Sequence, residues 1–423
     1  MLRAGFGRVE LSTSIEGAPM RGYANRDGGV RGIHDPLYAR ALVLEHGDRR
    51  VALCALDLCG VQEDVVAAAR GRVADVAPGD LFVAASHTHS GPADDADCWP
   101  DGLAGRIAAA VADASARLRP AALGAGWGAL HGHALNRRRL EDPVDPAALV
   151  VRVDADDGAP LGVVFGHACH PVVLGPDNRQ ASADWPGVTA HVLEERLGPD
   201  AVALFLPGAC ADVNPLTDGV RAAIAGAARV VGQLEHVAYP GGDPGGGTTY
   251  DVGDRTGGTF AEAERLGRAV ADAVLRVHGG TVPAAVDGLW TERIAVPHPA
   301  PDGPPTPSPL GDHFLPRAPV DDPLEVMLVG IDGPGIVLAG QPGEVFARTG
   351  AGLRRDLRAA GVEHPYVVGY ANGWRGYLAP ADAFADGGYE VDWARAAGHA
   401  ETLQDEIRTR VLEAVAVHAP RRR

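Results

Sequence analysis

His87 and His89 stand one residue apart behind an apolar run, in "LFVAASHTHSGPAD" (81–94), with the turn-forming Ser-Gly-Pro directly after them. Imidazole binds divalent metals and carries protons near neutral pH. Other metal-type side chains also sit at or just past an apolar strand. These are His170 in "VVFGHACHP" (163–171), Glu344 in "IVLAGQPGE" (336–344) and Tyr377 in "ANGWRGYLAP" (371–380). A further strand end, "PGACADVNP" (207–215), carries Asp212 and Asn214. Two histidines and a carboxylate with an open position form the usual hydrolytic zinc set. Such an ion polarises a carbonyl and acidifies water, and an unligated imidazole nearby moves the proton or steadies an oxyanion. Each residue also has a plainer reading. A strand-end histidine is often a hydrogen-bonded rim residue, and Glu344 after Pro-Gly suits the start of the helix "VFARTGAGLRRDL", where a carboxylate favours the dipole. His167 reads as structural.

Short apolar runs alternate with helical patterns, the signature of an α/β class. Strands are expected at 39–47, 50–58, 81–86, 148–154, 162–168, 201–208, 325–332, 335–341 and 365–371. Helices are expected at 62–75, 103–117, 187–197, 260–277, 345–359 and 393–416. Open α/β sheets carry their sites at the carboxyl ends of strands, where these side chains fall. A Gly-rich stretch (239–258) and a Pro-rich one (297–313) read as mobile loops. Patterns continue on both sides of them, so residues 1–423 read as one large domain.

Composition closes several routes. Hydrophobic residues make up 46% of 423 residues, enough for a full core. The formal charge of −17, without a basic cluster, excludes nucleic acid as a partner. All 38 basic side chains are arginine, which removes P-loop lysine and Schiff-base chemistry. The five cysteines fit no zinc knuckle or disulfide framework and read as buried thiols of a reducing compartment. No apolar run reaches the ~18 residues that would span a bilayer, and the N-terminus has no export pattern. The chain is therefore expected to be cytoplasmic, with oligomeric state left open.

Read together, "MRGYA" (20–24), "GIHDPLYARALVL" (32–44), "SHTHSGP", "NRR" (136–138), "HP" (170–171), "DVNP" (212–215), "QPGE" and "ANGWRGYLAP" resemble the neutral ceramidase family, from about residue 5 to about residue 415. The resemblance implies a catalytic domain of two packed mixed β-sheets flanked by helices. It implies one zinc ion per chain, held by His87, His170, Glu344 and Tyr377. It also implies His89 as catalytic helper and Arg137 near the scissile amide. Asp212 and Asp184 are candidates for orienting a ligand or its loop, with turn formation and helix capping as their plainer roles. Three departures stand out. Asn214 replaces a serine that the family's "GDVSPN" stretch places in catalysis. The chain ends before the family's C-terminal immunoglobulin-like domain would begin, and no membrane-docking helix is apparent.

The expectation is thus a zinc-dependent hydrolase cleaving an amide or ester acyl bond of a small soluble substrate by metal-activated water, with Arg137 and Asn214 binding substrate or steadying the oxyanion. The rivals are a true ceramidase acting on N-acyl sphingoid lipid, a zinc-dependent acyl-transfer tailoring enzyme, and a non-catalytic binding protein. A His/Glu/Tyr set accepts several ions. Cys98 and Trp99 are expected either to line the pocket or to lie in a solvated loop. Arg138 and Arg139 are expected either to grip a substrate carboxylate or to form a surface cluster.

Overall fold

Strands buried on both faces organise this chain. In the computed structural model residues 1–231, 258–297, 316–317 and 322–418 are described. Ten strands fall in the first half: β1 (Leu2–Glu10), β2 (Tyr38–His46), β3 (Arg49–Leu56), β4 (Leu81–Ala85), β5 (Arg119–Ala129), β6 (Ala134–Asn136), β7 (Ala147–Ala155), β8 (Pro160–His167), β9 (Val202–Pro207) and β10 (Val213–Pro215). Six follow: β11 (Gly288–Val296), β12 (Leu324–Asp332), β13 (Ile336–Gly340), β14 (Glu344–Val345), β15 (His364–Val368) and β16 (Tyr377–Leu378). An eight-stranded mixed sheet has the order β4-β3-β2-β1-β5-β7-β8-β9, and a four-stranded one the order β11-β12-β13-β15. Two-stranded ribbons pair β10 with β6 and β14 with β16.

Alternation assigns the faces. Leu53 and Ala55 of β3 pack in one cluster with Leu149 and Val151 of β7 and with Met327, Val329, Leu338 and Val368 of the smaller sheet. The two sheets therefore share an apolar layer. The intervening residues Ala52, Cys54 and Leu56 face a second cluster with Leu103, Ile107 and Val111 of the helix Gly102–Ala116. The helices Asp184–Leu197 and Phe260–Gly280 cover another part of the large sheet through Trp185, Leu193, Val270 and Val274. The helices Ala347–Ala359 and Leu403–His418 cover the outer face of the small sheet through Leu353, Leu357, Ile407 and Val411. The result is helix, sheet, sheet, helix. Among the described residues no helix is long and apolar enough to cross a membrane.

Strands β1 and β5 were not expected from the sequence. Both carry alternate glycines, which weaken a strand pattern. The structure gives the reason. A Cβ on Gly5 would lie 2.2 Å from the Ala114 carbonyl oxygen, and one on Gly126 would lie 2.8 Å from Val277 Cγ1. Only bare backbone lets those helices sit so close. The expected helix at 393–416 divides into Tyr389–Ala396 and Leu403–His418, with Gly398 at φ +78° in the break. The helix expected at 62–75 stops at Arg70. Apart from Gly258 and Pro297, the two expected loops lie outside the described residues.

Candidate active site

The packing of the two sheets decides where the chemistry collects. β3 and β4 are parallel, as are β8 and β9, β13 and β15, and β14 and β16. Their carboxyl ends point the same way in each pair, but the pairs are spread over different sheets, and contacts between sheets bring the following segments together, with Ala84 bridging Ala371 and the Ala85 N–H on the Tyr370 carbonyl at 3.1 Å. His87 lies two residues past β4, His170 three past β8, and Glu344 four past β13. In the β14–β16 ribbon Glu344 is the direct register partner of Tyr377.

The backbone turns sharply at His87, whose φ is +69°. A non-glycine residue there is strained and persists only where its surroundings over-determine it. His87 N–H donates to the Leu58 carbonyl at 2.9 Å. Its Nδ1 lies 2.6 Å from the Cys59 carbonyl oxygen. Tyr370, itself at φ +54° and fully buried, stacks on the imidazole with ring centroids 4.0 Å apart. His170 is held likewise: its Nδ1 lies 2.6 Å from the Cys210 oxygen and 3.2 Å from that of Val213. Carbonyls only accept, so Nδ1 is the protonated nitrogen in both rings, and both Nε2 atoms carry lone pairs.

Those lone pairs face a carboxylate. His170 Nε2 is 3.2 Å from Glu344 Oε2, and His87 Nε2 is 3.8 Å from the same oxygen. Ligand atoms of His87, His170 and Glu344 all lie within 4.8 Å of one another, and all three residues are buried. Burial pushes both imidazoles down to about 3, against the opposing charge of Glu344 at His87 and with the nearby Arg137 charge adding to the shift at His170. Burial also raises the Glu344 carboxyl, opposed by His87, Arg137 and a hydrogen bond from Tyr377. Two neutral imidazole lone pairs turned on one buried carboxylate repel unless a cation lies among them. The donor set therefore fits a divalent metal.

His89 lies beside this cluster rather than in it. Its Nε2 is 3.0 Å from His87 Nε2, and its Nδ1 is buried without a hydrogen-bond partner. Gly22 makes room for the ring, since a Cβ there would meet His89 Cγ at 2.4 Å. Tyr23 sets its ring edge against His89 at 4.7 Å, and Arg26 Nη1 donates to the His89 carbonyl at 2.6 Å. The "MRGYA" segment thus walls this histidine.

Arg137 follows β6 and reaches the cluster from the other side. Its Nη2 donates to Tyr377 Oη at 2.9 Å and its Nη1 to Asn214 Oδ1 at 3.3 Å. Its Nε donates to Glu390 Oε1 at 2.8 Å. Asp212 ties three segments together, accepting from Asn136 Nδ2 and from the Ala347 N–H, each at 2.8 Å. Asp184 braces the loop after His170, and its neighbour Trp185 bonds the His170 carbonyl at 3.2 Å. The Asp184 carboxylate accepts from the Leu174 N–H at 3.0 Å and the Trp185 N–H at 2.7 Å.

Some readings move. Arg138 is engaged by Glu390 at 2.6 Å and by the Gly387 carbonyl at 2.7 Å, and Arg139 pairs with Asp386 at 2.8 Å. Neither is held ready for substrate. Trp99 packs in the core with its indole N–H on the Leu11 carbonyl at 2.9 Å, rather than in a solvated loop. Sequence reasoning missed Tyr370, Cys59 and Glu390. Tyr370 closes a strand-like run and could have been taken as a strand-end residue. Glu390, behind Gly387-Gly388, carries no local signal.

No family model matches the chain. It is 27% identical over 263 residues to the neutral ceramidase of Mycobacterium tuberculosis, a match covering 52% of this chain and 41% of that protein. It is 24% identical over 246 residues to the neutral ceramidase of Pseudomonas aeruginosa, covering 50% of this chain and 37% of that one. The matched stretch thus spans about two fifths of these curated relatives. Among solved structures, a ceramidase complexed with C2 superposes with a TM-score of 0.77 at 18% identity, covering 99% of this chain and 75% of the other. The neutral ceramidase from Pseudomonas aeruginosa gives 0.77 at 19% identity, covering 99% and 74%. Likeness at that identity speaks to the shared fold.

Proposed function

We propose that this chain, neutral-ceramidase-like in sequence and fold, is a metal-dependent hydrolase of an amide bond. The observation that carries the reading is the convergence of two Nε2 lone pairs and the Glu344 carboxylate within 4.8 Å. His87, His170, Glu344 and Tyr377 would hold the ion, zinc by preference. A divalent ion bound there supplies Lewis-acid polarisation of the carbonyl and acidifies water.

The chain's own residues do the rest. His89, half-buried beside His87 with its Nε2 turned towards the cluster, takes a proton there and returns it to the departing amine. Arg137, locked by Glu390, turns its guanidinium towards the developing oxyanion. Asn214 gives its Oδ1 to Arg137, which leaves its amide N–H for the substrate. It has no hydroxyl to act as nucleophile, so water is the attacking group. Glu344 and the two buried histidines hold the site's shape and exclude bulk water.

The reacting bond is the C–N bond of a small soluble amide. The names of the relatives favour a second substrate, an N-acyl sphingoid lipid. Metal content of protein purified without added metal, beside His170→Ala, tests the centre. About one ion per chain, lost in the variant, is the expected result. Release of free amine from N-acyl amino acids and N-acyl sphingosine then separates the two substrates. Metal-free protein that takes up no zinc when offered it would overturn the reading.

A further inference from the structure

Arginines around the site are generally met by carboxylates. Arg21 pairs with Asp94 at 2.7 Å, Arg137 with Glu390 at 2.8 Å, and Arg375 with Glu63 at 2.7 Å. Arg26 and Arg179 are different. Arg26 is half-buried and makes only backbone bonds: Nη1 to the His89 and Arg21 carbonyls at 2.6 and 3.5 Å, Nε to Pro176 at 3.3 Å and Nη2 to Gly175 at 3.5 Å. Its guanidinium also lies 4.9 Å from the Tyr23 ring centroid. Arg179 donates Nε to the Gly29 carbonyl at 2.8 Å and packs its terminal nitrogens over Gly28, where a Cβ would meet Nη2 at 2.5 Å. Among the described residues neither forms an ion pair, in a chain with 55 acidic side chains. Segments 26–31 and 175–181 run together, with the Arg31 N–H on the Arg179 carbonyl at 2.7 Å, and each guanidinium bonds a carbonyl of the other's segment, Arg26 that of Pro176 and Arg179 that of Gly29. Burial weakens Arg26's hold on its proton, opposed by Tyr23 and Cys59, and the charge of Arg179 adds to the weakening. Two guanidiniums on facing segments without a carboxylate, one of them partly desolvated, are costly without an anion.

Their position gives the anion a role. Arg26 is bonded to the carbonyl of His89 itself, and Tyr23 contacts both its guanidinium and the His89 ring. An anion on the Arg26/Arg179 pair would sit beside the proposed proton carrier.

We infer that Arg26 and Arg179 form the receptor for an anionic group, a carboxylate or a phosphate monoester, carried by the substrate amide. Arginine's fork matches either oxyanion. The inference rests on the hydrolase reading and narrows its substrate class.

The test is calorimetric binding to the metal-loaded protein, run separately from turnover. Two probe pairs are used: N-lauroylglycine against its N-methylamide, and N-lauroyl-O-phosphoethanolamine against N-lauroylethanolamine. One anionic member binds at least about tenfold tighter than its neutral twin, the equivalent of about 1.4 kcal/mol. Which one does so identifies the oxyanion. In Arg179→Gln that ratio collapses towards one while metal content stays at the wild-type level. Arg26→Gln gives the same collapse where it folds. Equal affinity for both members of both pairs overturns the inference, and so does a ratio that Arg179→Gln leaves intact. Selective binding of the anion without turnover of any probe supports the receptor and instead counts against the hydrolase.

Discussion

Glu390 offers the sharpest test of how the site is held. It is 3% exposed, and each of its oxygens accepts from a different arginine, Arg137 at 2.8 Å and Arg138 at 2.6 Å. Both guanidiniums pull its carboxyl below the usual range despite its burial. Removing the carboxylate altogether leaves two nearly buried cations side by side, a loss of about 3–5 kcal/mol for Glu390→Ala. Glu390→Gln keeps the shape and one acceptor but turns an amide N–H towards the second guanidinium. One charge-assisted bond is lost, about 2 kcal/mol. Arg137 then loses the anchor that aims it past Tyr377. If Arg137 meets the oxyanion, kcat falls about 10²-fold, the scale of one misplaced donor, while KM and metal content hardly move. The decisive assay is the double-mutant cycle with Arg137→Ala. Glu390 acts through Arg137, so Glu390→Gln should have little further effect on kcat once Arg137 is gone. Additive losses in the cycle would refute the reasoning. So would a Glu390→Gln enzyme with unchanged kcat and lowered stability, which would make Glu390 a brace of the fold alone.

Gly22→Ala should shift the His89 ring, because a Cβ would lie 2.4 Å from its Cγ and the backbone sits at φ +116°. The expected outcome is a lower kcat with metal content retained, and a fully active variant would remove the histidine from the mechanism. Gly5→Ala should destabilise by about 1–3 kcal/mol in urea unfolding, since its Cβ would press on the Ala114 carbonyl oxygen at 2.2 Å. Asp184 should make stability fall as pH rises. Burial pushes its carboxyl up to about 7, above the ~3.9 of the unfolded chain. The folded state therefore holds a proton that the unfolded state releases. The resulting stabilisation is full below about pH 4 and is lost as pH rises to about 7, on the order of 4 kcal/mol in all. Urea unfolding of the chelated protein at pH 5 and pH 8 should show this decline in the wild type and its loss in Asp184→Asn, and parallel behaviour of the two proteins would contradict it.

The sequence by itself determined a good deal. Apolar runs long enough to be buried strands marked nine of the strands, because residues covered on both faces need no polar alternation. Those runs also placed His87, His170 and Glu344 just past strand ends, which is a local fact of chain order. The alternating glycines of β1 and β5 hid two strands, since glycine reads as a strand breaker until the helix against it is seen.

Tertiary structure decided how the strand ends meet. Packing of one sheet on the other brings residues as distant as His87 and Glu344 to 3.8 Å, and no local pattern encodes that. Which imidazole nitrogen is free depends on carbonyls supplied by Cys59, Cys210 and Val213, each from another part of the chain. The positive φ of His87, the stacking of Tyr370 and the grip of Glu390 on Arg137 arise the same way. They are products of packing, and a side chain's electrostatic state follows from what the fold sets around it rather than from its neighbours in sequence.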